Sequence, residues 1–495
     1  MPRRIAAALL LLGPLARGAD APAPPDLAEL RGPLVLAGAG PLPDDARDAV
    51  FDLAGKEKAK IVVVAGAADE SVLEAWRAKK PAAVVLLHAR DRKAADDPAV
   101  AKLLADATAV WVAGGDPEVM RDTVVEKEVR KLHARGGVVG GATGDPFGFL
   151  TGFVVAPNDA AKRLRIAVAN RRGSVGLGIG PGSAVVARGR TLRVVGDGTV
   201  AIHVAAGGGR DAATQTATAG DLFDTFQLRR AALNRAAKEP FPPKSPAAPV
   251  VEKGSLVIVG GGGAGPEIWK TFIELAGGPD APIVMIPTAL EDPLPAVPGE
   301  VAALKRFGAK SVEVLHTRSR AEANDPKFSA ALLKAKGVWF GGGRQWRFVD
   351  AYEGTLVETR IRAVLAGGGV IGGSSAGASI QGEFMPRGHP LGNTVMAAEG
   401  YERGFGYLPG CAVDQHFFAR NRTADMTGLM KLYPQYLGIG IDEGTAIVVT
   451  GRTAAVIGKT KVAFYDATAK PAGDTDYVEV KAGERYDLKK RAKVE

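Results

Sequence analysis

Runs of consecutive apolar residues, most of them closed by glycine, recur along the chain at 33–40, 60–66, 84–87 and 109–115, and again at 255–260, 282–287 and 337–342. Runs with no polar alternation predict strands buried on both faces. The stretches between them, such as 119–135, carry a helical period. Strands alternating with helices predict a parallel sheet covered on both sides, so the expected fold class is α/β.

The pattern occurs twice. The runs 255–260 and 282–287 answer 33–40 and 60–66. Gly337-Val338-Trp339-Phe340-Gly341-Gly342 answers Ala109-Val110-Trp111-Val112-Ala113-Gly114, and Gly368-Gly369-Val370-Ile371-Gly372-Gly373 answers Gly136-Gly137-Val138-Val139-Gly140-Gly141. The segment 178–186 lies in register with 440–448. Matched landmarks in the same order predict a tandem duplication of one domain, with copies at 19–235 and 250–495. The proline-rich segment 236–249 would join them as an extended, semi-rigid linker.

Inside the second copy, Val370-Ile371-Gly372-Gly373-Ser374-Ser375-Ala376-Gly377-Ala378-Ser379-Ile380 reads as strand, tight turn and helix start. Gly373-x-Ser375-x-Gly377 fits a nucleophile elbow, in which the chain turns sharply to present one hydroxyl. A helix starting there would aim N–H groups and a positive dipole end at a developing oxyanion. The plainer alternative is a small-residue turn that packs a helix on a strand. The first copy offers a comparison: Gly141-Ala142-Thr143-Gly144-Asp145 keeps glycines and has threonine in place of the serine. Packing survives there without the serine, which favours chemistry in the second copy.

A serine hydroxyl needs a base, and the base an orienting acid. Two histidines follow Ser375. His389 lies in a loop-like Arg387-Gly388-His389-Pro390, whereas His416 lies in Cys411-Ala412-Val413-Asp414-Gln415-His416, a strand-like segment suited to holding a ring, and is preferred. The acid is Asp442 or Glu443, in the turn before 445–450. The first copy holds Asp159, Gly180 and Pro181 at the positions of His416, Asp442 and Glu443, so all the chemical positions change together. The order serine, histidine, acid, with no histidine beyond His416, argues against an α/β-hydrolase, where the acid precedes the histidine.

Composition narrows the rest. At 495 residues the chain needs at least two cores, and 46% hydrophobic and 24% charged residues are usual for globular proteins. A net charge of +9 is moderate, and no dense Lys/Arg block suggests nucleic-acid binding. Arg3-Arg4, an apolar run from Ile5 to Leu12 and Ala16-Arg17-Gly18 describe a secretory signal peptide over 1–18, so export to the periplasm or beyond is expected, with no membrane-spanning segment. Cys411 is the one cysteine, so no intramolecular disulfide is possible; its apolar flanks argue a buried residue rather than a nucleophile. No CxxC or spaced histidine pair points to a metal. Gly260-x-Gly262-x-x-Gly265 could suggest a dinucleotide, but no acid follows at the spacing a ribose needs, so no cofactor is expected.

Taken together, Gly372 to Ala378, Asp414-Gln415-His416-Phe417 and Gly440-Ile441-Asp442-Glu443 resemble the motifs of cyanophycinase and its peptidase E relatives. The resemblance covers about 250–475, and the first half more faintly. It implies serine peptidases on a flavodoxin-like, class I glutamine amidotransferase-like fold: three layers around a parallel sheet, here twice. By it Ser375 is the nucleophile, His416 the base and Glu443 the acid, with the N–H groups of Ala376 and Gly342 or Gly343 as oxyanion donors. Substrate contacts carried over are Gln345, Asp414, Gln415, Arg420 and Arg422. Arg344 and Asp425 depart from the family pattern, which has an acid and a third arginine there. The implied substrate is cyanophycin or another β-aspartyl peptide. The alternative is a binding protein for such peptides that no longer cuts them. The first half would play a dimer partner's part, making the chain an intramolecular pseudo-dimer, unless it pairs as a homodimer.

Overall fold

The structure, a computed structural model, describes residues 27–67, 70–114, 116–142, 144–157, 161–469 and 475–494. The expected signal peptide, Thr143 and Asp159 lie outside them.

Each half is built on a mixed sheet whose parallel part matches the apolar runs. In the first half, parallel strands stand in the order Ala83–His88, Lys60–Ala65, Ala109–Val112, Val138–Gly141, Leu30–Ala37. In the second, Val312–Val314, Ile283–Ile286, Gly337–Phe340, Val370–Ser374 and Val251–Val259 stand in the same order. Antiparallel strands then extend each sheet, beginning with Ser183–Gly189 and Thr445–Gly451. The sheets are therefore mixed rather than purely parallel.

A second, smaller sheet in each half was not expected from the sequence. In the first it runs Ala213–Ala217, Val200–Val204, Val175–Ile179, Phe153–Pro157. In the second, Leu408–Asp414 and Leu437–Ile441 pair in parallel, flanked by Gly382–Phe384, Lys461–Asp466 and Val478–Lys481.

Side chains of the central strands divide between two cores, as the period of two requires. Trp339 packs with Trp269 and Phe272 under one face of the second sheet, and Phe340 with Phe348 and Ile258 under the other. That second core also takes in Val413, Ile439 and Phe464, which fastens the small sheet to the large one. Trp339 is fully buried, and truncating such a ring to alanine costs about 3–5 kcal/mol. The strand ends carrying Ser374 and Asp414 are thus held on a rigid base.

The segment between the halves is not free. Phe241 is buried against Phe384, its carbonyl accepts from Asn234, and Pro243 O accepts from Gln435. Among the described residues no helix is long and apolar enough to cross a membrane.

Candidate active site

Val370–Ser374 runs directly into Ser375, which sits at φ +56° and ψ −111°. A non-glycine residue with positive φ stores of the order of 1–3 kcal/mol and must be held by its surroundings. Part of the hold is the Ser375 N–H donating to Val259 O at 3.1 Å on the neighbouring strand. Gly377 supplies the rest: a Cβ there would lie 2.1 Å from Phe340 O, so only glycine lets the turn lie against Gly337–Phe340. The helix that follows, Ala376–Ser379, is a single turn. The expected dipole end is therefore short, and what the elbow offers is its N–H groups.

His416 follows Leu408–Asp414 by two residues and has φ +50°, so it lies beyond the strand rather than within it. Its N–H donates to Gly260 O at 2.6 Å. The ring reaches both partners. Ser375 Oγ is 2.9 Å from Nε2, and Glu443 Oε1 is 2.5 Å from Nδ1. Burial holds the imidazole below its ordinary pKa of 6.5; the Glu443 hydrogen bond pulls it up and the Arg420 charge pushes it down. A ring that stays neutral near pH 7 can accept a proton at Nε2 while Nδ1–H donates to Glu443.

Asp442, the other candidate acid, faces away. Its carboxylate accepts from the N–H groups of Phe418 and Ala419 at 3.1 and 2.9 Å and from Thr460, so it fixes the backbone after His416. The Cys411 thiol is fully buried, and burial pushes its pKa up, away from a reactive thiolate.

The glycine loop considered for a dinucleotide serves the site itself. A Cβ on Gly261 would sit 2.3 Å from His416 Cε1, and one on Gly262 2.5 Å from Glu443 Cβ. Gly444 N–H donates to Gly261 O at 2.8 Å, which joins this loop to the Glu443 turn. The sequence signal was present as a glycine run, but nothing in its spacing said that a histidine would lie on it.

The loop 341–343 meets the elbow as expected: a Cβ on Gly342 would be 3.7 Å from Ser375 Cβ. Gly342 N–H is already taken, donating to Glu300 Oε1 at 3.1 Å. Of the two candidate donors in this loop, Gly343 is the one with no acceptor among the described residues. Glu300 had no signal in the sequence.

The five carried-over substrate contacts separate by burial. Arg420 is exposed beside His416. The other four are buried and bonded to protein. Gln345 donates to Pro386 O and Arg387 O at 2.8 and 2.9 Å. Asp414, fully buried, accepts from Arg387, Arg422 and the Gln415 N–H, and Arg422 also donates to Gln415 O at 2.6 Å. Burial pushes the Asp414 carboxyl above its ordinary pKa, and the two guanidiniums pull it back. Removing one partner of such a buried pair costs about 3–5 kcal/mol. Arg387, missed in the sequence, is central to this floor and also donates to Asp425 at 2.6 Å. The departures fit the same network: Asp425 pairs with Arg387, and Arg344 donates to His389 O and Gly392 O at 2.5 and 2.6 Å. His389 itself stays in its loop, its Nδ1 accepting from Leu391 N–H. Among the described residues no cluster of metal-ligand side chains occurs.

Residues 256–457 match the model of Peptidase family S51. The chain is 34% identical over 223 residues to a cyanophycinase of Geminocystis herdmanii, a match covering 44% of this chain and 82% of that protein. The chain belongs to this family. It is a serine-type peptidase, a hydrolase, on an α/β fold. A cyanophycinase of a Nostoc species is 33% identical over 226 residues, covering 44% of this chain and 76% of its own. Among solved structures, a peptidase from an acI-B1 Actinobacterium matches at 25% identity and TM-score 0.37, covering 48% of this chain and 97% of that one.

Proposed function

We propose that the second half is a cyanophycinase-like peptidase acting through Ser375, His416 and Glu443. The observation that carries this is the unbroken relay from Ser375 Oγ through the imidazole to Glu443, at 2.9 and 2.5 Å. Ser375 Oγ attacks the scissile carbonyl carbon as its proton passes to His416 Nε2. The oxyanion is received by the N–H groups of Ala376 and Gly343, an electrostatic contribution of about 3–4 kcal/mol per donor in other peptidases. Collapse expels the amine, which takes the proton from Nε2 and leaves an ester on Ser375. Water then attacks the ester with Nε2 as base, releasing the acid and restoring the serine.

The proposed substrate is a peptide with β-linked aspartyl residues, on the support of the cyanophycinase relatives and of Arg420, whose exposed guanidinium can pair a carboxylate beside the scissile bond. Product analysis after incubation with cyanophycin and β-aspartyl dipeptides tests it. Release of β-Asp-Arg is expected; no turnover of either substrate by enzyme that hydrolyses other peptides would overturn the assignment.

The matching strand orders support an internal duplication, with the first half an inactive copy. Gly180 and Pro181 offer it no acid where Asp442 and Glu443 stand. The basic and apolar leader supports export.

The His416 environment fixes the pH profile. Neutral His416 is the working form, and its pKa is lowered, so it stays neutral to a lower pH than a free histidine. The acidic limb of kcat/KM should therefore have its midpoint below 6.5, with rate lost as pH falls through it. A midpoint above 6.5 would contradict the assignment of His416 as a buried base.

A further inference from the structure

The residues 385–403 form a loop bonded to both walls of the site. On the oxyanion side, Arg344, next to Gly343, holds His389 O and Gly392 O, and Gln345 holds Pro386 O and Arg387 O. On the histidine side, Arg387 is bonded to Asp414, two residues before His416. The tip is partly apolar and open, with Leu391 and Val395 exposed.

The other end of this loop is gripped by the first half. Arg235, in the helix Thr225–Ala236, donates twice to the Glu399 carboxylate at 2.6 and 2.8 Å, and Gln227 of the same helix donates to Glu399 O at 2.6 Å. Arg230 donates to Gly400 O at 2.8 Å and lies over the Tyr401 ring at 4.8 Å. Arg190 reaches Tyr401 Oη at 2.9 Å and Asp350 at 2.7 Å. Arg210 reaches Glu402 at 2.7 Å, and the Glu402 carbonyl in turn accepts from Met385 N–H at 2.6 Å. The approach is close: a Cβ on Gly400 would lie 2.7 Å from Gln227 O. Four consecutive residues of the catalytic half are therefore bonded to side chains of the other, most of them shielded from water, where charged hydrogen bonds hold geometry best.

We propose that the first half is a built-in positioning partner for the loop 385–403, so that releasing its grip impairs the handling of peptide substrates and leaves Ser375 chemically competent. This rests on the reading of Ser375 as nucleophile and gives the first half a defined task. The grip acts through Met385 and Arg387 on the segments that carry Gly343 and His416, without touching the reacting atoms. It should therefore change how a peptide is seated more than how readily the serine is acylated by a small reagent.

The test is the full-length double variant Arg210→Ala, Gln227→Ala, whose substituted side chains bond, among the described residues, to the second half alone. It is read by peptide kcat and KM and by the rate at which a small fluorophosphonate labels the serine. The expected result is a fall of about tenfold or more in peptide kcat/KM with labelling unchanged within about twofold, since misplacement of about 1 Å can cost two orders of magnitude. Unchanged peptide kinetics, or labelling that falls in step with turnover, would overturn the proposal. Should the double variant not fold, Gln227→Ala alone, which keeps every ion pair, is expected to show the same split at about threefold; its absence there overturns the proposal as well. Failure of the underlying reading is seen separately, as peptide turnover that persists in Ser375→Ala.

Discussion

Ser375→Ala should lower peptide turnover by about four to six orders of magnitude, the range seen when a serine peptidase loses its nucleophile. The side chain's one hydrogen bond is to His416, so its loss leaves no other buried group without a partner. Alanine inherits the same φ of +56°, so the strain at the elbow is unchanged. Stability should accordingly move by no more than about 1 kcal/mol, measured by thermal or urea unfolding. Turnover within a hundredfold of the parent would mean that the chemistry lies elsewhere.

Gly261→Ala should be nearly as damaging to activity although no reacting atom is removed. The new methyl would stand 2.3 Å from His416 Cε1 and 2.5 Å from Nε2, and the buried ring would have to turn aside. Rotation breaks both the 2.9 Å contact to Ser375 and the 2.5 Å contact to Glu443. A loss of about three orders of magnitude in kcat is expected, because a triad works as a unit. The φ of +97° adds a backbone cost of about 1–2 kcal/mol. Activity close to that of the parent would show that the His416 ring does not rest on this glycine.

The contrast between these two positions marks what the sequence conveyed. Ser375 and His416 stood out because chemistry restricts residue type and because the first half shows the same frame without them, whereas the choice of Glu443 over Asp442 came from the family resemblance; the fold brings the three side chains together. The parallel strands could be placed because buried strands read as unbroken apolar runs. Gly261 and Gly262 were visible only as a glycine run, since the ring and carboxylate that need the space come from segments more than 150 residues away. Burial was the harder quantity. Gln345, Asp414, Gln415 and Arg422 could be named from the motifs, but nothing in the sequence said that they close on one another and on Arg387. Arg387 itself belongs to no pattern: it has φ +58° and meets Asp414 only once Leu408–Asp414 and the loop 385–403 are brought together. The small second sheet escaped notice because its strands are short and separated by long segments, so local periodicity does not pair them.

Ser375 is proposed as the acylated nucleophile of this peptidase. This is tested most directly by labelling the purified full-length protein with a fluorophosphonate and locating the adduct by mass spectrometry of its peptides. One stoichiometric adduct is expected, on Ser375, absent from Ser375→Ala and slowed at pH values below the His416 pKa. An adduct on another residue, or none on active enzyme, would contradict it.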